Sequence, residues 1–150
     1  MKKNLKILVP IDFSRHSLET LEFALTLTDF CEPEFLVLHV VASGEVETFA
    51  NLGGESDRIL ARRQQEAAGH LEEEIERRRP GGTELAIGSR VVNGVPFKEI
   101  CQIAEEENCQ LIVIGTHGRT GLYHLLIGST AERVVQHAAC PVLSLKPRLL

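Results

Sequence analysis

The chain has 150 residues, a formal net charge of -5, 43% hydrophobic residues and 25% charged residues. That length and mixture suit one domain, residues 1–150, whose core needs neither disulfides nor metal. The acidic balance argues against wholesale binding of nucleic acid or of an anionic membrane, while leaving room for a local basic pocket.

The N-terminal segment MKKNLKILVPIDFS starts with lysines and a short apolar run that stops at Pro10 and Asp12. A secretory signal needs a longer apolar core and a small-residue cleavage site, so the segment reads as a first strand, Leu5 to Ile11. Ser14 or Ser17 can cap a helix in which Leu18, Leu21, Leu25 and Thr28 recur at helical spacing. Glu34 to Val41 (EFLVLHVV) is a second apolar strand, and residues 42–55 are a polar, Gly-containing loop. Ser56 to Arg79 is charge-rich and helical in composition, and Pro80-Gly81-Gly82 stops it. Thr83 to Val92 reads as a third strand, and Gly94-Val95-Pro96 opens a helix whose inward face is Ile100, Ile103 and Ala104. Leu111 to Ile114 is a fourth strand, Ala131 to Ala139 a helix, and Pro141 to Leu145 a fifth strand. Alternating strands and helices predict a parallel sheet with helices on both faces.

Ligands of such sheets bind beyond the carboxyl ends of the strands, where the strand order reverses. The loops to inspect carry Pro10-Ile11-Asp12, His39-Val40-Val41 and the stretch 115–130, GTHGRTGLYHLLIGST. Connections of more than about 12 residues are uncommon in compact domains and are often functional. Gly115 and Gly118 allow close backbone approach and positive φ. Gly128-Ser129-Thr130 precedes a helix, whose free N–H groups and positive dipole end favour an anion, and Arg119 adds charge. Neither the G-x-x-x-x-G-K-[ST] nor the G-x-G-x-x-G phosphate loop occurs. The glycines read G-x-x-G, nine residues, then G-S.

With VPIDFS, LHVV, VNGVPFKEI, IVIGTHGRTG…LIGSTAERVV and CPVLSL in order, the chain resembles the universal stress protein family (UspA-like) in its nucleotide-binding branch, over nearly its whole length. The resemblance implies a five-stranded α/β domain of Rossmann-like, adenine nucleotide alpha hydrolase-like fold that binds ATP, with or without Mg2+, and dimerises. It implies that Asp12 and Val40 face the adenine and ribose, with Pro10, Ile11 and Gly115 at the same end. Gly118, Gly128, Ser129 and Thr130 would hold the phosphates, with His117 and Arg119 alongside. It also places the fifth strand at a sheet edge, where Pro141 to Leu145 of two copies would pair as a homodimer. The function expected is that of a cytoplasmic, ATP-dependent stress-response regulator acting on an unidentified protein partner, with slow or no hydrolysis. A slow ATPase and a nucleotide-free dimeric scaffold are the alternatives.

Several of these residues also have a plain structural reading. Ser129-Thr130-Ala131-Glu132 fits a capping box, Asp12 could cap the first helix, and Gly121 and Gly128 could simply break structure. His39 within an apolar strand suits a hydrogen-bonded core histidine better than a ligand. His117 and His124 have no partner at metal-site spacing, so no metal site is expected. Leu122, Leu125, Leu126 and Ile127 suit local packing, the alternative being an apolar face offered to a partner. Glu72-Glu73-Glu74 with Arg77-Arg78-Arg79 reads as a solvated helix face. Cys31, Cys101, Cys109 and Cys140 form no C-x-x-C pair and read as free thiols in a reducing compartment.

Overall fold

The structure, a computed structural model, describes residues 1–42, 56–82, 84–117 and 128–147. Strand β1 (Asn4–Pro10) is followed by helix α1 (Arg15–Leu25) and a 3₁₀ turn (Thr26–Asp29). Then come β2 (Glu32–Ala42), α2 (Ser56–Arg78), β3 (Ile87–Gly94), α3 (Pro96–Glu106), β4 (Leu111–Gly115), α4 (Ser129–His137) and β5 (Val142–Leu145). The five strands form one sheet in the order β3-β2-β1-β4-β5, and every pairing is parallel.

The apolar runs have no polar alternation because helices cover both faces of the sheet. Successive side chains still point to opposite faces. Ile7, Val9, Phe35, Val37 and Val113 pack with Leu21, Ala24 and Leu25 of α1 and Leu71 and Ile75 of α2. Their neighbours Leu8, Leu38, Ile112 and Ile114 pack with Ile100, Ile103 and Ala104 of α3 and Ala131 and Val134 of α4. The register sets Ile7 against Phe35 and Leu111, so β1 is the centre of the sheet.

Three expectations shift. The third strand begins at Ile87 rather than at residue 83, and it runs on to Gly94. Glu74 is not on a solvated face: it is 5% exposed, and Arg77 and Arg78 of its own helix fold back onto it. Helix α4 begins at Ser129, two residues before the expected start, with Gly128 as its N-cap. Ser129 is therefore the first helical residue and not the cap, and no side-chain capping bond forms at that end. The capping-box pattern was present in the sequence, but Gly128 holds the position it requires.

Candidate functional site

The chain winds outward from β1 to β2 and β3, then crosses back to β4 on the other side of β1. The strand order reverses between β1 and β4, and a crevice opens beyond their carboxyl ends. A cavity of about 280 Å³ lies there. Its walls come from β1, β2, α3, β4 and α4, so residues far apart in sequence share one space.

The first wall is the end of β1. Pairing with β2 continues one residue past the strand, because the Ile11 N–H donates to the Leu38 carbonyl at 2.8 Å. The Ile11 carbonyl lies 2.9 Å from Nδ1 of His39. Asp12 then turns the chain: its Oδ1 accepts the Ser14 N–H at 2.9 Å. Ser14 in turn caps α1 by accepting the Ser17 N–H at 3.2 Å. Between them Phe13 stands at φ 64°, a conformation uncommon for a bulky side chain. Its ring stacks on His70 of α2, with centroids 4.1 Å apart and planes 7° apart, and touches His39 at 4.5 Å. This wall is thus fixed by hydrogen bonds and ring contacts from α1, α2 and β2.

The floor is apolar. Leu38 and Val40 of β2, Ile100 of α3, Ile114 of β4 and Ala131 of α4 face the cavity from the top of the second core cluster. The opposite wall is the start of α4. Gly128, Ser129, Thr130 and Ala131 line it, and the first N–H groups of a helix have no partner within the helix. Gly128 owes its identity to space. A Cβ there would lie 2.9 Å from the Thr116 carbonyl oxygen, which already accepts the Gly128 N–H. Gly115 has a different reason from the one expected. Among the described glycines only Gly82 and Gly94 have positive φ. At Gly115 a Cβ would meet the His16 ring at 2.8 Å and Thr20 Oγ1 at 3.0 Å, so the close approach is to α1.

Nine of the eleven residues expected from the sequence line this cavity: Pro10, Ile11, Asp12, Val40, Gly115, His117, Gly128, Ser129 and Thr130. Gly118 and Arg119 lie outside the described residues, as do His124 and the leucines of the same connection. His39 is the buried, hydrogen-bonded histidine expected, and it also lines the cavity. Ser17, Leu38, Ala42, Pro96, Ile100, Ile114, Thr116 and Ala131 line it too and are not among the residues expected. Pro96 follows the third strand, whose loop is not among the three that the sequence singles out, although β3 ends on the same edge of the sheet. Thr116 stands inside the glycine pattern, and its side chain meets His117, Oγ1 to Nδ1 at 2.8 Å.

A profile of the universal stress protein family matches residues 3–146. The chain belongs to the universal stress protein family. Universal stress protein MJ0531 of Methanocaldococcus jannaschii is 35% identical over 146 residues, which span 94% of this chain and 81% of that protein. The solved structure of MJ0577 from the same organism superimposes with a TM-score of 0.83 at 28% identity, covering 97% of this chain and 98% of that one. More distant solved structures share the fold: a universal stress protein in complex with cAMP (TM-score 0.63, 20% identity, 94% of this chain and 95% of that one) and an Arabidopsis thaliana family member with AMP bound (TM-score 0.61, 18% identity, 96% and 92%). The Rossmann-like α/β sheet expected from the sequence is therefore that of the family.

Among the described residues, no group of three or more His, Cys, Asp or Glu side chains could hold a metal ion, and no helix is long and apolar enough to cross a membrane. The four cysteines are unpaired thiols. Burial pushes the Cys109 thiol up to about 11 and raises Cys101 and Cys140 as well, which disfavours their thiolates at neutral pH.

Proposed function

We propose that this universal stress protein binds an adenine nucleotide, ATP, in the cavity between β1 and β4, and serves as a cytoplasmic, nucleotide-dependent regulator of a stress response. The observation that carries this reading is the polarity of the cavity. An apolar floor of Val40, Ile100 and Ile114 suits a base. The helix start at Gly128-Ser129-Thr130, where no side chain caps the first turn of α4, suits a phosphate chain. Asp12 lines the same cavity, and a carboxylate suits ribose hydroxyls as an acceptor. The family members solved with AMP and with cAMP support a nucleotide on this fold. Gly118 and Arg119 join the site in this reading, and Mg2+ would accompany the phosphates.

Turnover should be slow. Asp12 is the only carboxylate among the described residues that line the cavity, and it is engaged by the Ser14 N–H. Phosphoryl transfer needs charge stabilisation and a group that orients water, and one tied carboxylate supplies neither in full. Phosphate release is expected below about 1 per second, an ordinary enzyme rate. Faster release that disappears in Asp12→Ala would make the protein an ATPase.

The proposed homodimer pairs β5 with β5 of a second copy. Strand β5 is an edge of the sheet, and Val142 and Leu143 on it are only half-buried. An open apolar edge invites a strand. Val142→Lys with Leu143→Lys should give a folded monomer by light scattering. An unchanged dimer would move the interface elsewhere.

The test of the site is calorimetry with ATP, ADP, AMP and cAMP, with and without Mg2+. ATP should bind the wild type, and Gly128→Val should abolish binding while the fold is retained, because its side chain would push Thr116 and the start of α4 apart. Undiminished ATP affinity in Gly128→Val, or preference for another ligand class, overturns the reading.

A further inference from the structure

His16 lies in the first turn of α1, is 4% exposed, and takes no part in the helix cap made by Ser14. Its Nε2 is 2.9 Å from the carbonyl oxygen of Leu145, the last residue of β5. A carbonyl only accepts, so Nε2 carries the proton and donates. In the neutral ring Nδ1 is then a bare acceptor, and it is buried with no hydrogen-bond partner among the described atoms. A buried acceptor left in this way is costly. An apolar ring of the same volume would avoid the cost, which makes the Nε2 bond the reason for a histidine at this position.

That bond leads into the site. The Leu145 carbonyl also accepts the Thr116 N–H at 2.8 Å, and the Thr116 carbonyl accepts the N–H of Gly128, the N-cap of α4. The hydrogen bonds therefore run from α1 to the end of the outer strand, to the end of β4, and to the helix start that lines the cavity. Gly115 makes room for the ring, since any Cβ there would lie within 3.0 Å of it. His16 itself does not line the cavity.

We propose that His16 is a positioning residue: by donating to Leu145 it holds the end of β5 against Thr116 and so fixes where Gly128 and the first turn of α4 stand in the cavity. The ligand arm of the proposal rests on the nucleotide reading above, and the geometric arm does not.

The test compares His16→Phe, which keeps an aromatic ring, a larger one, without a donor, with His16→Gln, which keeps a donor near the position of Nε2. Amide hydrogen exchange at Thr116 and Gly128, the thermal midpoint, and ATP affinity are measured on the full chain. In His16→Phe, exchange at those two amides should accelerate about fivefold and the ATP Kd should rise about fivefold, the effect of one net hydrogen bond. The thermal midpoint is read beside them, to separate this local effect from a general loss of stability. In His16→Gln, exchange and Kd should return toward wild type. Wild-type exchange at Thr116 and Gly128 in His16→Phe overturns the proposal. So does a general rise in exchange that tracks a lowered midpoint and is not rescued by glutamine, since that is the behaviour of a purely structural residue. If the wild type binds no ATP, the nucleotide reading falls, and the exchange comparison alone decides the role of His16. Should His16→Phe fail to fold, His16→Leu carries the same comparison against His16→Gln.

Discussion

Against one face of the sheet, α3 and α4 bring Ile100, Ile103, Ala104, Ala131 and Val134. Against the other, α1 and α2 bring Leu21, Ala24, Leu25, Leu71 and Ile75, but also His16, Ser17, Thr20 and Glu74, all buried. The two faces meet the cavity in different ways. The α3/α4 face ends in its apolar floor. The α1/α2 face contributes the bonded frame around it: Ser14 and Ser17 at the turn after β1, the Phe13–His70 stack, and His16 behind Gly115. An apolar face tolerates rearrangement at the cost of packing, whereas a face with buried polar groups fixes directions, because each group must keep its partner.

The largest effect is expected on the apolar side. Ile103 is 1% exposed, and Ile103→Ala should cost about 3 kcal/mol by leaving a cavity under the site. Urea unfolding measures this, and a loss below about 1 kcal/mol would mean that the face collapses around the gap.

The charged cluster on the other face comes next. Glu74 is held by Arg78, by Arg77 at 3.0 Å and by His70 at 3.3 Å. Breaking a fully buried pair costs about 3–5 kcal/mol; with two partners remaining, Arg78→Ala should cost about 2 kcal/mol. The same cluster sets a pH dependence. Burial by itself raises the Glu74 carboxyl, but Arg78, Arg77 and His70 together outweigh it and hold the carboxyl below the ordinary glutamate range. A depressed folded value means that this stabilisation is complete above the ordinary glutamate range and is lost as pH falls through the folded value. Unfolding measured from neutral to acid pH should show a shallower acid loss in Glu74→Gln than in wild type. Parallel curves would remove Glu74 from the acid response.

Gly115→Ala tests the contact between the polar face and the site. The new methyl would press on the His16 ring and on Thr20 Oγ1, which should cost about 1–2 kcal/mol. In a double-mutant cycle His16→Ala should recover part of that loss, whereas simple additivity would place the strain elsewhere.

The smallest stability effect belongs to Ser129. A true N-cap serine is worth about 1 kcal/mol, but Ser129 is the first helical residue, so Ser129→Ala should change stability by less than about 0.5 kcal/mol. A loss near 1 kcal/mol would restore the capping role.

Much of the fold was legible because its signals are local. Apolar runs such as LKILVPI and LIVIG mark strands covered on both faces, and Pro96 and the Ile100, Ile103 and Ala104 spacing mark a helix with one buried side. The cavity was legible for a related reason: in a parallel sheet every strand ends on the same edge, so the residues after β1, β2 and β4 converge wherever the order reverses. What the local pattern could not contain was the identity of neighbours across the sheet. Glu74 looks like any member of a charged run until α2 lies on β2 and β3 and buries it. Ser129 fits a capping box until the contact of Gly128 with Thr116 makes Gly128 the cap. Gly115 looks like a phosphate-loop glycine, yet its lack of a side chain is required by His16, which stands 99 positions earlier in the chain. Periodicity records which way a side chain points, but only the packing of helix on sheet decides what stands opposite it.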